Sequence, residues 1–167
     1  STYPAEVLAD QPLGYWRLGE SSGTTAADAS GNNRAGTYVG GPTLGSAGLQ
    51  SSDGNTSITL NGLTQRVEVP HAAVWDLTGD LTIEALVNVT GGDNYRTIVA
   101  KHAATGDVST FELRIQTSNN KLQFVQKTTA GTFLSITGNR TLAVGTTYHV
   151  AVTKSGNTVT LYVNGVL

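Results

Sequence analysis

Along residues 81–89 the apolar side chains fall on every second position. Leu81, Ile83, Ala85, Val87 and Val89 share one side of an extended chain, and Thr82, Glu84, Leu86 and Asn88 share the other. The same period returns near the end of the chain, where Tyr148, Val150 and Val152 alternate with His149, Ala151 and Thr153. Ser155-Gly156-Asn157 breaks that run, and Val159, Leu161 and Val163 resume it against Thr158, Thr160 and Tyr162, which predicts a hairpin. Asn164-Gly165 predicts a further turn of type I′, because both of its central residues need positive φ. Only Val166 and Leu167 follow, so a further strand is expected from a longer polypeptide, and without it a sheet edge stays open.

Between these runs lie shorter ones. Residues 95–101, 111–116, 121–127 and 132–137 read as strands separated by the loop 102–109 and by the turns Ser118-Asn119-Asn120 and Thr129-Ala130-Gly131. Residues 13–18 read as a strand with Trp16 and Leu18 on one face and Tyr15 and Arg17 on the other, and residues 36–39 as another. Residues 57–60 and 65–69 are expected to pair through a turn at Asn61-Gly62. Residues 3–10 suit a short helix or a strand, stopped by Pro12, and residues 72–75 suit one helical turn with Trp75 as a plug under a loop. Many short strands at regular spacing predict an all-β fold, an antiparallel two-sheet sandwich of jelly-roll type lacking its last strands, with residues 1–167 as a single domain.

Composition narrows the picture. The 167 residues suffice for one buried core. Cysteine is absent, which removes disulfides and thiolate zinc sites, and methionine is absent too, so Ser1 is not a translation start. The formal charge is −2 and the ten Lys and Arg are scattered along the sequence, which argues against nucleic acid as a partner. No apolar run approaches a membrane span, so no membrane insertion is expected. A chain with 13% charged residues and abundant Gly, Thr, Ser and Asn fits an extracellular or virion surface.

Candidate chemistry is sparse. Asp28, Ser30, Asn32 and Asn33 set oxygen-bearing side chains around Gly31. Two readings of them stay open. Asp28 starts an Asx-turn with Ser30-Gly31-Asn32 as its corner, or it anchors a calcium ion with Asn32 and Glu20, since calcium takes roughly six to eight oxygens from such loops. His71, a lone histidine at a strand end, reads as a surface residue. Retaining glycoside hydrolysis needs two carboxyls about 5 Å apart, which residues i and i+2 of one strand supply. Neither Glu68 nor Glu84 has such a neighbour. The Gly-rich residues 41–48 precede no helix and so cannot cradle phosphate on helix-terminal amides. Nucleophile elbow, dinucleotide fingerprint and zinc-protease motifs are absent, which disfavours an enzyme.

Four blocks carry a family resemblance. Gly14-Tyr15-Trp16-Arg17-Leu18 with Asp28-Ala29-Ser30-Gly31-Asn32, then Val67-Glu68-Val69-Pro70, then Leu81-Thr82-Ile83-Glu84-Ala85, and finally Tyr148 to Thr153 with Leu161-Tyr162-Val163-Asn164-Gly165, resemble laminin-G-like domains of the concanavalin A-like superfamily in order. The resemblance implies a jelly roll that binds a surface glycan or receptor through its loops. It adds weight to calcium at a rim loop, and it implies that the first strand lies beside the last. Glycoside hydrolase relatives exist, but their acidic triplet is missing here. Sugar binding needs an aromatic platform and planar polar groups, for which the loop candidates are Tyr38, Trp75, Asn94, Tyr95, His102 and Asp107, centred on residues 91–94 with 102–107. The amino-terminal blocks also look like modules of actinobacterial secreted proteins and of their phages' tail proteins. That implies the alternative of a decoration domain touching neighbouring domains or subunits of a tail, fibre, capsid or bacterial surface protein.

Overall fold

A Pro in the first turn, tolerated because its missing N–H would have no helical partner, opens a short helix α1 at Tyr3–Ala9, preceded by an extended Thr2. Only Val7 of this helix is buried. The computed structural model of the chain describes residues 2–92, 95–102, 109–127 and 132–167. These group into two compact units, Ser1–Ala72 and Ala73–Leu167.

After α1, the first unit contains β1 (Thr25–Ala26), β2 (Gly36–Val39), β3 (Thr43–Ser46), β4 (Ser57–Thr59) and β5 (Arg66–Glu68). β2 lies between β1 and β5, and β3 pairs with β4, all antiparallel. Two expectations are corrected here. Residues 13–18 do not form a strand, and a single bridge links Trp16 to Asp28. Leu18 takes a φ of 54°, outside the extended region, so the chain leaves a strand conformation at the end of the expected run. Residues 57–60 and 65–69 do not pair with each other, because β4 joins β3 while β5 joins β2. The Asn61 carboxamide oxygen accepts the amides of Leu63, Thr64 and Gln65, which makes a wide Asx-capped loop in place of a two-residue hairpin.

The second unit follows its sequence pattern closely. A 3-10 turn at Ala73–Trp75 leads to β6 (Leu81–Asn88), β7 (Arg96–His102), β8 (Ser109–Ile115), β9 (Lys121–Lys127), β10 (Phe133–Thr141), β11 (Thr147–Ser155) and β12 (Thr158–Val163). β10, β9, β8 and β7 form one antiparallel sheet in that order, and β12, β11 and β6 form another. Phe111, Leu113, Ile115, Leu122 and Phe124 from the first sheet and Leu81, Tyr148, Val150, Val152, Leu161 and Val163 from the second make one hydrophobic cluster. The two sheets therefore face each other. Leu113, Phe124, Val150 and Val152 retain no exposed surface. The expected fold class, an all-β antiparallel sandwich, is the one observed.

Turn chemistry also follows the residues. Gly156, at φ 56°, occupies the first central position of the β11–β12 hairpin, as a type II′ turn requires. Asn164 and Gly165 take φ of 51° and 74°, and Val163 and Val166 exchange two backbone hydrogen bonds of 2.8 and 3.1 Å, closing the expected type I′ turn.

Candidate functional site

Because Leu113, Ile115, Leu122 and Phe124 point into the core, the alternate residues Glu112 and Arg114 of β8 and Lys121, Gln123, Val125 and Lys127 of β9 occupy the opposite face of the four-stranded sheet. Register then aligns what sequence separates. Thr97, Arg114, Gln123 and Thr137 stand opposite one another across all four strands. Their side chains form a continuous hydrogen-bonded row. The Thr97 hydroxyl donates to Glu112 Oε1 at 2.6 Å, and Arg114 Nη1 donates to Glu112 Oε2 at 3.0 Å. Arg114 Nε donates to Gln123 Oε1 at 2.8 Å, and Gln123 Nε2 donates to the Ser135 and Thr137 hydroxyls at 3.1 Å. Glu112 and Gln123 are buried within this row. Each of their polar atoms named here has a partner, so the network holds its members rigidly.

Tyr95 completes the site. The Arg114 guanidinium lies 3.9 Å from the centre of its ring, a cation–π contact, and Tyr95 is still 54% exposed. At the other end of the face Phe133, across from Lys127, is also exposed.

The sequence-derived candidates fare differently. Tyr95 belongs to this face, whereas His102 ends the same strand that Tyr95 precedes. Seven residue steps of extended chain hold the two about 20 Å apart, so one small ligand cannot touch both. Asn94 and Asp107 lie outside the described residues. Tyr38 is corrected to an interior role: it is 6% exposed, its hydroxyl donates to Glu20 Oε2 at 2.5 Å, and its ring offers no open platform. Trp75 is half-buried and His71 exposed. Glu84 does not stand alone, since its Oε2 lies 3.1 Å from His149 Nε2 on the outer side of β6 and β11. Arg66 pairs with Glu68.

The loop around Asp28 is built as an Asx-turn. Asp28 Oδ1 accepts the amides of Tyr15 and Ser30, and Oδ2 accepts the amide of Arg34, at 2.9 to 3.0 Å. Asn32 Nδ2 donates to the carbonyls of Pro12 and Leu13, as does Arg34 Nη1 to Leu13. Partial burial alone would raise the Asp28 pKa, but the donors from Tyr15, Ser30 and Arg34 outweigh it and lower it to about 2. Glu20 Oε1 accepts the Ala27 amide at 2.9 Å. Burial pushes Glu20 up, and the Tyr38 hydroxyl and Ala27 amide bring it below its ordinary value. Burial and the Glu20 carboxylate together raise the Tyr38 phenol. As placed, the oxygens of Asp28 and Glu20 accept N–H and O–H donors, which is the donor set of a turn.

Sequence reasoning missed Glu112, Arg114 and Gln123. In the sequence they are ordinary polar members of alternating strands, and the one available signal was that Glu112 and Arg114, at i and i+2, share a face.

Among protein-family profiles, the laminin G type of the concanavalin A-like lectin/glucanases superfamily matches residues 60–167. No curated protein and no solved structure matches the chain. With well over half of its residues inside that match and an antiparallel all-β architecture, the chain belongs to the concanavalin A-like lectin/glucanases superfamily as a laminin-G-like domain.

Proposed function

We propose that the chain is a non-catalytic recognition module that takes a glycan across the outer face of its four-stranded sheet, as part of an adhesive surface outside the cell. The observation that carries this reading is the polar row from Thr97 to Thr137 with Tyr95 at its end. Sugars present hydroxyls in fixed directions and apolar C–H faces. Planar Arg and Gln groups and Ser and Thr hydroxyls on rigid strands read the first, and an exposed aromatic ring stacks on the second. Preorganisation by the network reduces the ordering cost of binding. The lectin-type fold of the superfamily supports the same reading.

The superfamily also includes glycosidases. The buried carboxylate on this face, Glu112, has one oxygen held by Thr97 and the other by Arg114. The groups touching it are a hydroxyl and a guanidinium, whereas acid–base cleavage of a glycosidic bond needs a second carboxyl. The module is therefore expected to release no reducing ends from polysaccharides.

The reading is tested on a glycan array with the parent and a Tyr95→Ala, Thr137→Ala variant of unchanged melting temperature. Loss of the stacking ring and of one hydroxyl is expected to weaken binding roughly tenfold or more. A variant that binds every sugar as the parent does would move the site off this sheet.

A further inference from the structure

Among the described residues, the two sheets of the second unit end in four edge strands, and three of these are blunted. β7 has register shifts between Thr97 and Val99 and between Lys101 and His102, along with the cations Arg96 and Lys101. β10 has a shift between Thr137 and Thr141, beside Arg140. β12 is short, and the turn after it returns Val166 onto the outward backbone groups of Val163. Bulges, basic side chains and self-closure keep an edge from pairing with foreign chain.

β6 has none of these. Its eight residues pair with β11 without a register shift and include no Pro, Lys or Arg. The direction of its free backbone groups follows from the ladder. His149 donates its N–H to Asn164 Oδ1 and accepts the Asn164 N–H on its carbonyl, both on the β12 side. Tyr148, Val150, Val152 and Lys154 therefore turn theirs to β6, where they meet Val87, Ala85, Ile83 and Leu81. The N–H and C=O groups of Thr82, Glu84, Leu86 and Asn88 point away from β11, and among the described residues no strand takes them up. Side chains along this edge call for particular neighbours. On the inner face Ile83, Ala85 and Val87 are only partly buried against the core, so apolar residues added opposite them extend it. On the outer face Thr82, Glu84 and Asn88 are polar, and Leu86 is half-buried. Glu84 uses Oε2 with His149, while its Oε1 has no partner among the described residues.

We infer that the free edge of β6 receives an extended segment of another polypeptide, which joins the sheet as an antiparallel strand. Only an extended backbone repeats N–H and C=O groups at the spacing of this edge. The segment has apolar residues opposite Ile83, Ala85, Leu86 and Val87 and a Lys or Arg opposite Glu84. A second copy of the chain fits less well. Two-fold pairing about Glu84 sets carboxylate against carboxylate, and pairing about Ala85 sets Glu84 against Leu86, so neither register gives Glu84 a cation. The edge belongs to the other sheet from the proposed glycan face, and its test is independent of that reading.

The test titrates a fluorescein-labelled peptide, Thr-Val-Ile-Val-Lys-Val-Thr, whose Lys stands opposite Glu84 in antiparallel register, against the parent and Leu86→Pro. Proline there removes a donor that β11 does not use, and thermal melting checks that the fold is kept. The parent is expected to bind, the proline variant roughly tenfold more weakly or worse, and a peptide with Glu in place of Lys several-fold more weakly. Amide exchange of Thr82, Glu84, Leu86 and Asn88 is expected to slow in the complex. Methylating the peptide nitrogens that face β6 is expected to abolish binding to the parent, which keeps the comparison decisive where Leu86→Pro unfolds. A parent that ignores the peptide, or a proline variant or methylated peptide that binds as well as the originals, would overturn the docking site. A parent that sediments as a dimer, and as a monomer with Leu86→Pro, would overturn the inference in favour of a second copy.

Discussion

Asp28 accepts three backbone amides, from Tyr15, Ser30 and Arg34, and so closes its own loop and fastens it to residue 15. Replacing it with Ala leaves those donors without their acceptor, and Asp28→Ala is expected to cost about 1–3 kcal/mol in urea unfolding. Its pKa is lowered to about 2 from 3.8, so its charge stabilises the folded state fully above pH 4. That contribution is lost as pH falls through the folded value, between about pH 4 and 2. Discounted for solvent screening it is worth on the order of 1 kcal/mol. The parent should therefore lose stability in that window and Asp28→Ala should lose less, which acid melts at fixed ionic strength will check. Calcium tests the other use of the same oxygens. Melting temperatures are expected to agree in calcium and in chelator, since both Asp28 oxygens already have backbone amides that compensate the charge. A rise of several degrees with calcium, absent in Asp28→Ala, would put the ion there. Sequence spacing exposed this cluster but left two readings open, because the direction in which Tyr15 and Arg34 present their amides depends on contacts far along the chain.

At the level of elements, the β11–β12 hairpin is tied to the start of β6. Asp80 Oδ1 accepts the Gly156 amide at 2.7 Å and Oδ2 the Ser155 hydroxyl at 3.2 Å, while the Lys154 ammonium donates to the Gly79 carbonyl. Asp80→Ala is expected to lower stability by about 1–2 kcal/mol in urea unfolding. A midpoint equal to that of the parent would show that solvent replaces these bonds at no cost. These strands were legible because their alternation is uninterrupted and because Gly156 and Asn164-Gly165 occupy positions where positive φ is needed. Residues 13–18 and 57–69 misled for the same physical reason in reverse. Their apolar alternation is real, but positive φ at Leu18 and the Asn61 side chain redirect the backbone. Local pattern does not disclose which strand a short segment will join.

For the molecule as a whole, the cluster shared by the two sheets of the second unit provides most of the apolar burial, and Phe124 at 0% exposure lies within it. Phe124→Ala is expected to cost about 3–5 kcal/mol, enough to unfold much of the population of a marginally stable domain. Loss of near-ultraviolet dichroism at a temperature where the parent is intact would register it. The role as a decoration domain in a larger assembly is separated from the recognition role by size in solution. A monomer that binds glycan supports recognition, and a stable trimer without sugar affinity would favour the structural role.

The sequence by itself determined the fold class, most strands of residues 81–167 and the turns at Gly156 and Asn164-Gly165. Alternation sets which side chains can be buried together, and Gly and Asn set where the chain can reverse. Only the tertiary structure decided the site. Thr97, Arg114, Gln123 and Thr137 are separated by many residues in the chain, and the ladder register places them in one row. The length of β7 parted Tyr95 from His102. Strand pairing is a long-range choice made by the burial of opposite faces, so the neighbours of an outward-facing polar residue are fixed by the packing beneath it.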